Sequence, residues 1–442
     1  MTPVTVFTSL CLLLTVGKVL RVQVPLLQRL YLPSSVIGGV VGLILFSSCG
    51  SLFPAELKET MSKCPGFLIN VIFATIFLGA AVPKVADVVR FALPQLTLGQ
   101  IIAWGQYVVG LGLAGFFLTR VFDVPAAFGN LLEIGFEGGH GTVGGMTDSF
   151  LAFGWEDGIA LGFTVATVGM IVGIVFGMAL IQYAHARGIV KQVRAFKDRS
   201  LNERRGVHRR DHRPSAGVQT VLCDSIDSLA WHLAVVGLAV LIGYGIHRCI
   251  PMSGFPLFPL CMVGGVILSL FAKVARIDLL VDRVQMERIS GAALDFLVVS
   301  AVATIRLDVV AAHWQPLVIL CVAGAVWSVA CVLFVAPRIF RTAWFERAIA
   351  EFGQATGVTA TGLMLLRTVD PENRTPAAMS FGYKQLLHEP FMGGGLWTAL
   401  AFTLVYRIGW LNVFLISLAM LVFWSIVAAV LARRNRTLFK KG

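Results

Sequence analysis

Apolar runs long enough to cross a bilayer recur along the whole of this 442-residue chain, and no other feature limits its fold as strongly. A helix needs about 20 mostly apolar residues to span the hydrocarbon core, where every backbone polar group must be satisfied inside the protein. Such runs lie near Thr5–Val24, Ser34–Phe53, Gly66–Val82, Leu98–Leu118 and Gly158–Ala184. A second set lies near Leu229–Ile250, Phe255–Phe271, Ala292–Ala303, Gln315–Val335 and Lys384–Val405, followed by Leu411–Ala432. Only 14% of the residues are charged and the mean hydropathy is +0.81, whereas soluble domains carry about 25% charged residues. The pattern predicts an all-α polytopic membrane protein with eleven spans. The opening "MTPVTVFTSLCLLLTVGKVL" has no basic leader and no small-residue cleavage site, so it reads as the first span and not as a signal peptide.

The net charge of +12 raises the question of nucleic acid, and the placement of the charges answers it. With the N-terminus outside, 30 of the 36 Lys and Arg residues fall on the inside. They include Lys18, Arg21 and Arg29, then Lys84 and Arg90, ten in the polar stretch before Gly217, Lys384, and five in the tail "ARRNRTLFKKG". Outside remain Lys58, Lys63, Arg120, Arg248, Arg306 and Arg407. This is the positive-inside asymmetry of a membrane protein, with the C-terminus cytoplasmic and the basic face turned to anionic lipids. No basic groove with interleaved aromatics is present, which excludes nucleic acid as a partner.

Five spans before the polar linker invert the second half of the chain relative to the first. The expected organisation is a first repeat over 1–186, a basic cytoplasmic linker over 187–217, a second repeat over 218–409, and an extra helix with a basic tail over 410–442. Each half places a glycine-rich segment before its fifth span: "EGGHGTVGGM" at 137–146 and "EFGQATGVTATGLM" at 351–364. Paired glycine-interrupted segments in inverted repeats point to the binding site of a secondary transporter. Gly139, Gly141 and Gly144 also spell G-x-G-x-x-G, but a dinucleotide site needs a soluble βαβ unit around that string, and a membrane span follows here. The remaining readings are a re-entrant hairpin, whose bare backbone approaches a ligand, and a face that lets helices pack closely. A matched segment in each half favours the hairpin.

"GGHGT" at Gly138–Thr142 with "ATVG" at Ala166–Gly169 resembles the first-half signature of the bacterial sodium/glutamate symporter family. "GVTATG" at Gly357–Gly362 occupies the place of its second signature, and Pro390 with Gly393 resembles the V-P-x-x-G of its last core helix. The chain departs from that pattern at Ala360, at Leu365 and in "HEP" at His388–Pro390. The resemblance implies two inverted-topology repeats of five transmembrane helices, each with a re-entrant hairpin, the two hairpins entering from opposite faces. It also implies an outside N-terminus, a homodimer in the bacterial cytoplasmic membrane, and sodium-coupled uptake of L-glutamate.

Ionisable and hydroxyl residues at membrane depth are costly, so they supply the candidate site. Gly138, Gly139, His140, Gly141, Thr142, Gly357, Thr359 and Thr361 are the expected substrate-binding residues, and Asp148, Thr167, Thr356 and Glu389 the expected cation ligands. His140 either closes its hairpin as a neutral hydrogen-bonded residue or contacts substrate or cation directly. Glu137 and Glu351 either cap half-helices or bind an ion, and the threonines either coordinate or bond only their own backbone. Asp295, Lys18 and Arg306, near span ends, snorkel or pair. The eight cysteines lack C-x-x-C spacing and read as small apolar fillers. No H-E-x-x-H, G-x-S-x-G or phosphate-loop string is present, so no enzyme and no cofactor are expected.

Glutamate carries a charge of −1, so an inside-negative potential opposes its entry by about 2.3 kcal/mol per 100 mV. Two or more sodium ions reverse that sign, which makes sodium the expected coupling ion. The alternative is a proton- or sodium-coupled transporter of another small anionic amino acid or carboxylate, with Asp148, His388 or Glu389 carrying the proton.

Overall fold

The computed structural model describes residues 3–49, 53–80, 91–190, 200–208, 213–250 and 254–439. Several expectations lie outside these residues: the end of the third span at 81–82, and the basic residues Lys84, Arg90, Lys191, Arg194, Lys197, Arg199, Arg209, Arg210, Lys440 and Lys441. Among the described residues the secondary structure is helical, with no strand.

In chain order the helices that matter for the site and the core are α1 (Pro3–Gln23), α2 (Ser34–Ser48), α3 (Ala55–Thr75), α4 (Leu93–Val121), α5 (Leu131–Phe136), α6 (Gly139–Gly145), α7 (Thr147–Ala152) and α8 (Asp157–Ala186). The second half contributes α9 (Ser228–Cys249), α10 (Phe258–Val274), α11 (Arg283–Ala303), α12 (Trp314–Ile339), α13 (Trp344–Val369), α14 (Ala377–His388), α15 (Leu396–Ile408) and α16 (Trp410–Phe439). Six of these, α1, α4, α8, α9, α12 and α16, are long and apolar enough to cross a membrane, and shorter apolar helices accompany them.

Eleven spans were expected, and the differences in their bounds have local causes. The third begins at Ala55 instead of Gly66, because Leu57 and Met61, one turn apart in an otherwise polar stretch, are buried. The eighth begins at Arg283 instead of Ala292. Its Asp282 accepts from the Gln285 N–H at 3.0 Å, and its Arg283 guanidinium donates to the Thr75, Ile76 and Leu78 carbonyls at and just beyond the end of α3. The expected single span Lys384–Val405 is instead broken between α14 and α15. Pro390 cannot donate a helical hydrogen bond, and Gly393 and Gly394 stand at φ +65° and +108°, which halts the helix until Leu396 bonds back to the Pro390 carbonyl at 2.8 Å.

The chain divides into two compact units, each drawing on both halves of the sequence. One comprises 1–82, 144–154 and 199–305; the other comprises 83–143, 155–198 and 306–442. In the first, Leu10, Met61 and Val299 pack together, as do Ala74, Val236 and Met286. Lys18 there donates to the Gly206 carbonyl at 2.8 Å.

The second unit holds a core that includes Leu98, Ile102, Ile181, Phe345, Phe352 and Phe381. Along α8, Gly169, Gly173 and Gly177 recur one turn apart and present bare backbone to α13: a Cβ at Gly169 would stand 2.5 Å from the Thr356 carbonyl, and one at Gly177 2.5 Å from Leu365. The "ATVG" string thus gives α13 room to lie close, which is the packing role of small residues spaced by four.

Candidate functional site

Both glycine-rich segments are interrupted helices, and both lie largely in the second unit. After α5 the chain turns at Glu137 and Gly138 and re-enters helix at Gly139, whose φ of +67° suits a residue without a Cβ. In α13 the interruption falls at Gly357 and Val358, the latter at φ +66° and ψ 171°, where a β-branched side chain is strained. The two breaks meet: a Cβ on Gly139 would stand 2.4 Å from Val358 Cγ1.

A polar stripe precedes each break on one helical face, at i, i+3 or i+4, and i+7. On the first it is Asn130, Glu133 and Glu137; on the second, Arg347, Glu351 and Gln354. All six are buried. Burying charge requires compensation from partners, and the neighbouring helices supply it.

Glu133 accepts from Tyr107 Oη at 2.6 Å, Thr398 Oγ1 at 2.8 Å and the Gly393 N–H at 2.9 Å, so one carboxylate ties α4, α5 and the α14–α15 break together. Glu351 pairs with Lys384 Nζ at 2.5 Å and accepts from Gln95 Nε2 at 2.8 Å. Gly99 makes room for that pair, since a Cβ there would stand 2.5 Å from Glu351 Oε1. Lys384, expected among the cytoplasmic loop cations, is instead fully buried on α14, because Glu351 neutralises it in place.

Glu137 pairs with His388 Nε2. Trp104 Nε1 donates to Gln100 Oε1 at 2.8 Å, which turns the Gln100 amide nitrogen toward His388 Nδ1 at 3.2 Å. The imidazole Nδ1 therefore accepts, and Nε2 carries the hydrogen that faces Glu137. The second oxygen of Glu137, Oε2, is buried with no hydrogen-bond partner among the described residues. Glu137 and Glu351 thus each take a side-chain partner on α14, Glu137 a hydrogen bond from His388 and Glu351 an ion pair with Lys384.

Of the expected substrate-binding residues, Thr142 donates to the Gly138 carbonyl at 2.9 Å and lies 3.4 Å from the Gly393 carbonyl. Gly138 packs against that same threonine, and Gly141 is buried. His140 Nε2 is 3.0 Å from Thr167 Oγ1, whose hydroxyl donates to the Phe163 carbonyl at 2.9 Å, so His140 ties the glycine motif to α8. Thr361 bonds the Gly357 carbonyl. Thr359 is 2.6 Å from Gln354 Oε1 and 2.9 Å from Glu389 Oε1.

The expected cation ligands have different local surroundings. Thr356 bonds its own backbone at the Phe352 carbonyl, 2.7 Å away. Asp148 is exposed and groups with the first compact unit, whereas Thr167, Thr356 and Glu389 belong to the second. Glu389 lies with Thr359, Gln354 and Gln385.

A family model described as sodium/glutamate symporter matches residues 2–369. The chain belongs to the sodium/glutamate symporter family. Among curated proteins none matches significantly. Membership and the apolar helices make this a multi-pass membrane protein of a transporter family, not of an enzyme class. The symporter match ends before Lys384, His388, Glu389 and Gly393, so the α14 side of the buried cluster lies beyond the matched region.

Glu133, Tyr107, Gln95, Gln100, Gln354, Gln385 and the buried role of Lys384 were not anticipated from the sequence. A signal for the acidic pair was present: Asn130, Glu133 and Glu137 trace one face of an otherwise apolar segment just upstream of a glycine break.

Proposed function

We propose that this protein is a sodium-coupled symporter that brings L-glutamate across the bacterial cytoplasmic membrane by alternating access, as a homodimer with its N-terminus outside and its C-terminus cytoplasmic. The observation that carries the reading is the meeting of two broken helices, at Gly139 and Val358, beside a buried cluster of paired polar and charged side chains. Interrupting a helix frees backbone N–H and C=O groups that ligands can take up, and irregular backbone at membrane depth is tolerated only where it is enclosed by protein or lines a cavity.

In this reading the segments Gly138–Thr142 and Gly357–Thr361 contact the substrate carboxylates, with the paired breaks acting as re-entrant elements of two inverted repeats. The oxygens of Glu389 and its neighbours take sodium, and Asp148, Thr167 and Thr356 complete cation binding at other stages of the cycle. Two or more sodium ions per glutamate make the loaded carrier positive, so that both the sodium gradient and the membrane potential drive uptake.

The test is uptake of labelled glutamate into proteoliposomes. An inward sodium gradient is expected to drive accumulation above equilibrium, and equilibrated sodium only exchange. Equal uptake under both conditions would overturn the proposal.

A further inference from the structure

Around the side-chain amide of Gln385, short polar contacts outnumber the hydrogens available to fill them. Its Nε2 lies 3.0 Å from Gln354 Oε1, 2.6 Å from Thr359 Oγ1 and 2.7 Å from Glu389 Oε1. The Thr359 hydroxyl is itself 2.6 Å from Gln354 Oε1 and 2.9 Å from Glu389 Oε1. An amide nitrogen has two hydrogens and a hydroxyl has one. Three hydrogens cannot serve these five short contacts, so oxygen faces oxygen or nitrogen without a proton between them. The knot is electron-rich, and its three oxygens are a carboxylate, an amide carbonyl and a hydroxyl, the donor set of a hard cation.

We propose that Gln354, Thr359 and Glu389 form a sodium site, and that the Gln385 amino group stands where the ion binds. The proposal rests on the symporter reading and deepens it. It moves Thr359 from the substrate to the cation, and adds Gln354 and Gln385, which sequence motifs did not mark.

Three observations support the assignment. Glu389 directly follows the C-terminal end of α14; helix C-termini carry partial negative charge and favour cations. Gln354 and Gln385 are buried while Thr359 and Glu389 are half-buried, so the cluster combines a desolvated floor with a side an ion can reach. Finally, Gln385 has an alternative arrangement. Its Oε1 accepts from Lys384 Nζ at 3.0 Å; swinging the whole amide out of the cluster vacates the amino group's position for the ion and gives up that contact. Sodium binding and release of the Lys384 contact are thereby linked, which connects the ion to the Lys384–Glu351 pair.

The experiment is a thermal-unfolding titration of the purified protein in detergent, without glutamate, with sodium chloride exchanged for choline chloride at constant ionic strength and potassium chloride as a control. Sodium is expected to raise the melting temperature in a saturable way and potassium is not. Glu389→Gln, which removes the charged ligand, and Thr359→Val, which keeps shape and removes the oxygen, are each expected to need about tenfold more sodium for half the effect, since ligand charge and number set the affinity of such sites. If Glu389→Gln does not fold, Thr359→Val decides. Variants that fold and titrate as the wild type does would overturn the site. If wild-type vesicles at the same time show sodium-driven glutamate uptake, the symporter reading survives and only this placement is wrong.

Discussion

Replacing Gly139 by alanine probes the meeting of the two breaks directly. Gly139 stands at φ +67°, and an L-residue in the left-handed region costs about 1–2 kcal/mol. The added Cβ would stand 2.4 Å from Val358 Cγ1, far inside a carbon–carbon contact of about 3.5–4.0 Å, and relieving an overpacked methyl costs about 1–3 kcal/mol. Together these come to about 2–5 kcal/mol. The chain can escape most of this by displacing one break from the other, which distorts the site while leaving the cores of the two units intact. The expected result is a half-saturating glutamate concentration raised about tenfold or more, since about 1.4 kcal/mol is a factor of ten. Folded, dimeric protein should still be recovered. Adding Val358→Ala removes the obstructing Cγ1 and is expected to recover about tenfold of that loss, the φ cost remaining. Uptake and melting temperature are measured on the same preparations, with Gly112→Ala as control, where a Cβ meets only the edge of Phe414 at 3.3 Å. If Gly139→Ala lowers stability in proportion to transport with glutamate affinity unchanged, or if Val358→Ala restores nothing, the breaks are packing faces and the reasoning fails.

Three further outcomes are expected. Lys384→Met leaves Glu351 buried and unpaired and should destabilise the protein by about 3–5 kcal/mol, read as a drop in melting temperature; adding Glu351→Gln should recover most of it, and failure to recover would deny the pair its charge-balancing role. Glu133→Ala strands three donors, Tyr107, Thr398 and the Gly393 N–H, at about 1–3 kcal/mol each, so folded yield should fall well below that of Glu133→Gln. Reporters fused after Gly442 and inserted near Arg205 should both report the cytoplasm; a periplasmic C-terminus would refute the proposed orientation.

The parts of this fold that could be read from the sequence are those set by local composition. Apolar length marked the helices, and the glycines at 138–145 and 357–362 marked both breaks. Span boundaries were missed where a few buried residues extend a helix into polar sequence, as Leu57 and Met61 do for α3. The residues that gather around the breaks were largely invisible because they pair across the chain: Glu137 and His388 are 251 positions apart, and Gln95 and Glu351 are 256. Lys384 resembled a loop cation because the positive-inside count registers a lysine's place in the chain and not the carboxylate facing it. The acidic stripe at 130–137 was legible in principle, since its spacing is local.

Sodium-coupled glutamate movement is the central claim, and paired fluxes in one vesicle preparation test it most directly. Labelled sodium and labelled glutamate uptake are measured under an imposed inside-negative potential, and again in sodium-free buffer under an inward proton gradient. The account expects more than one sodium ion to enter per glutamate, both fluxes to rise with the potential, and no accumulation in sodium-free buffer. Glutamate accumulation driven equally well by the proton gradient without sodium would contradict it.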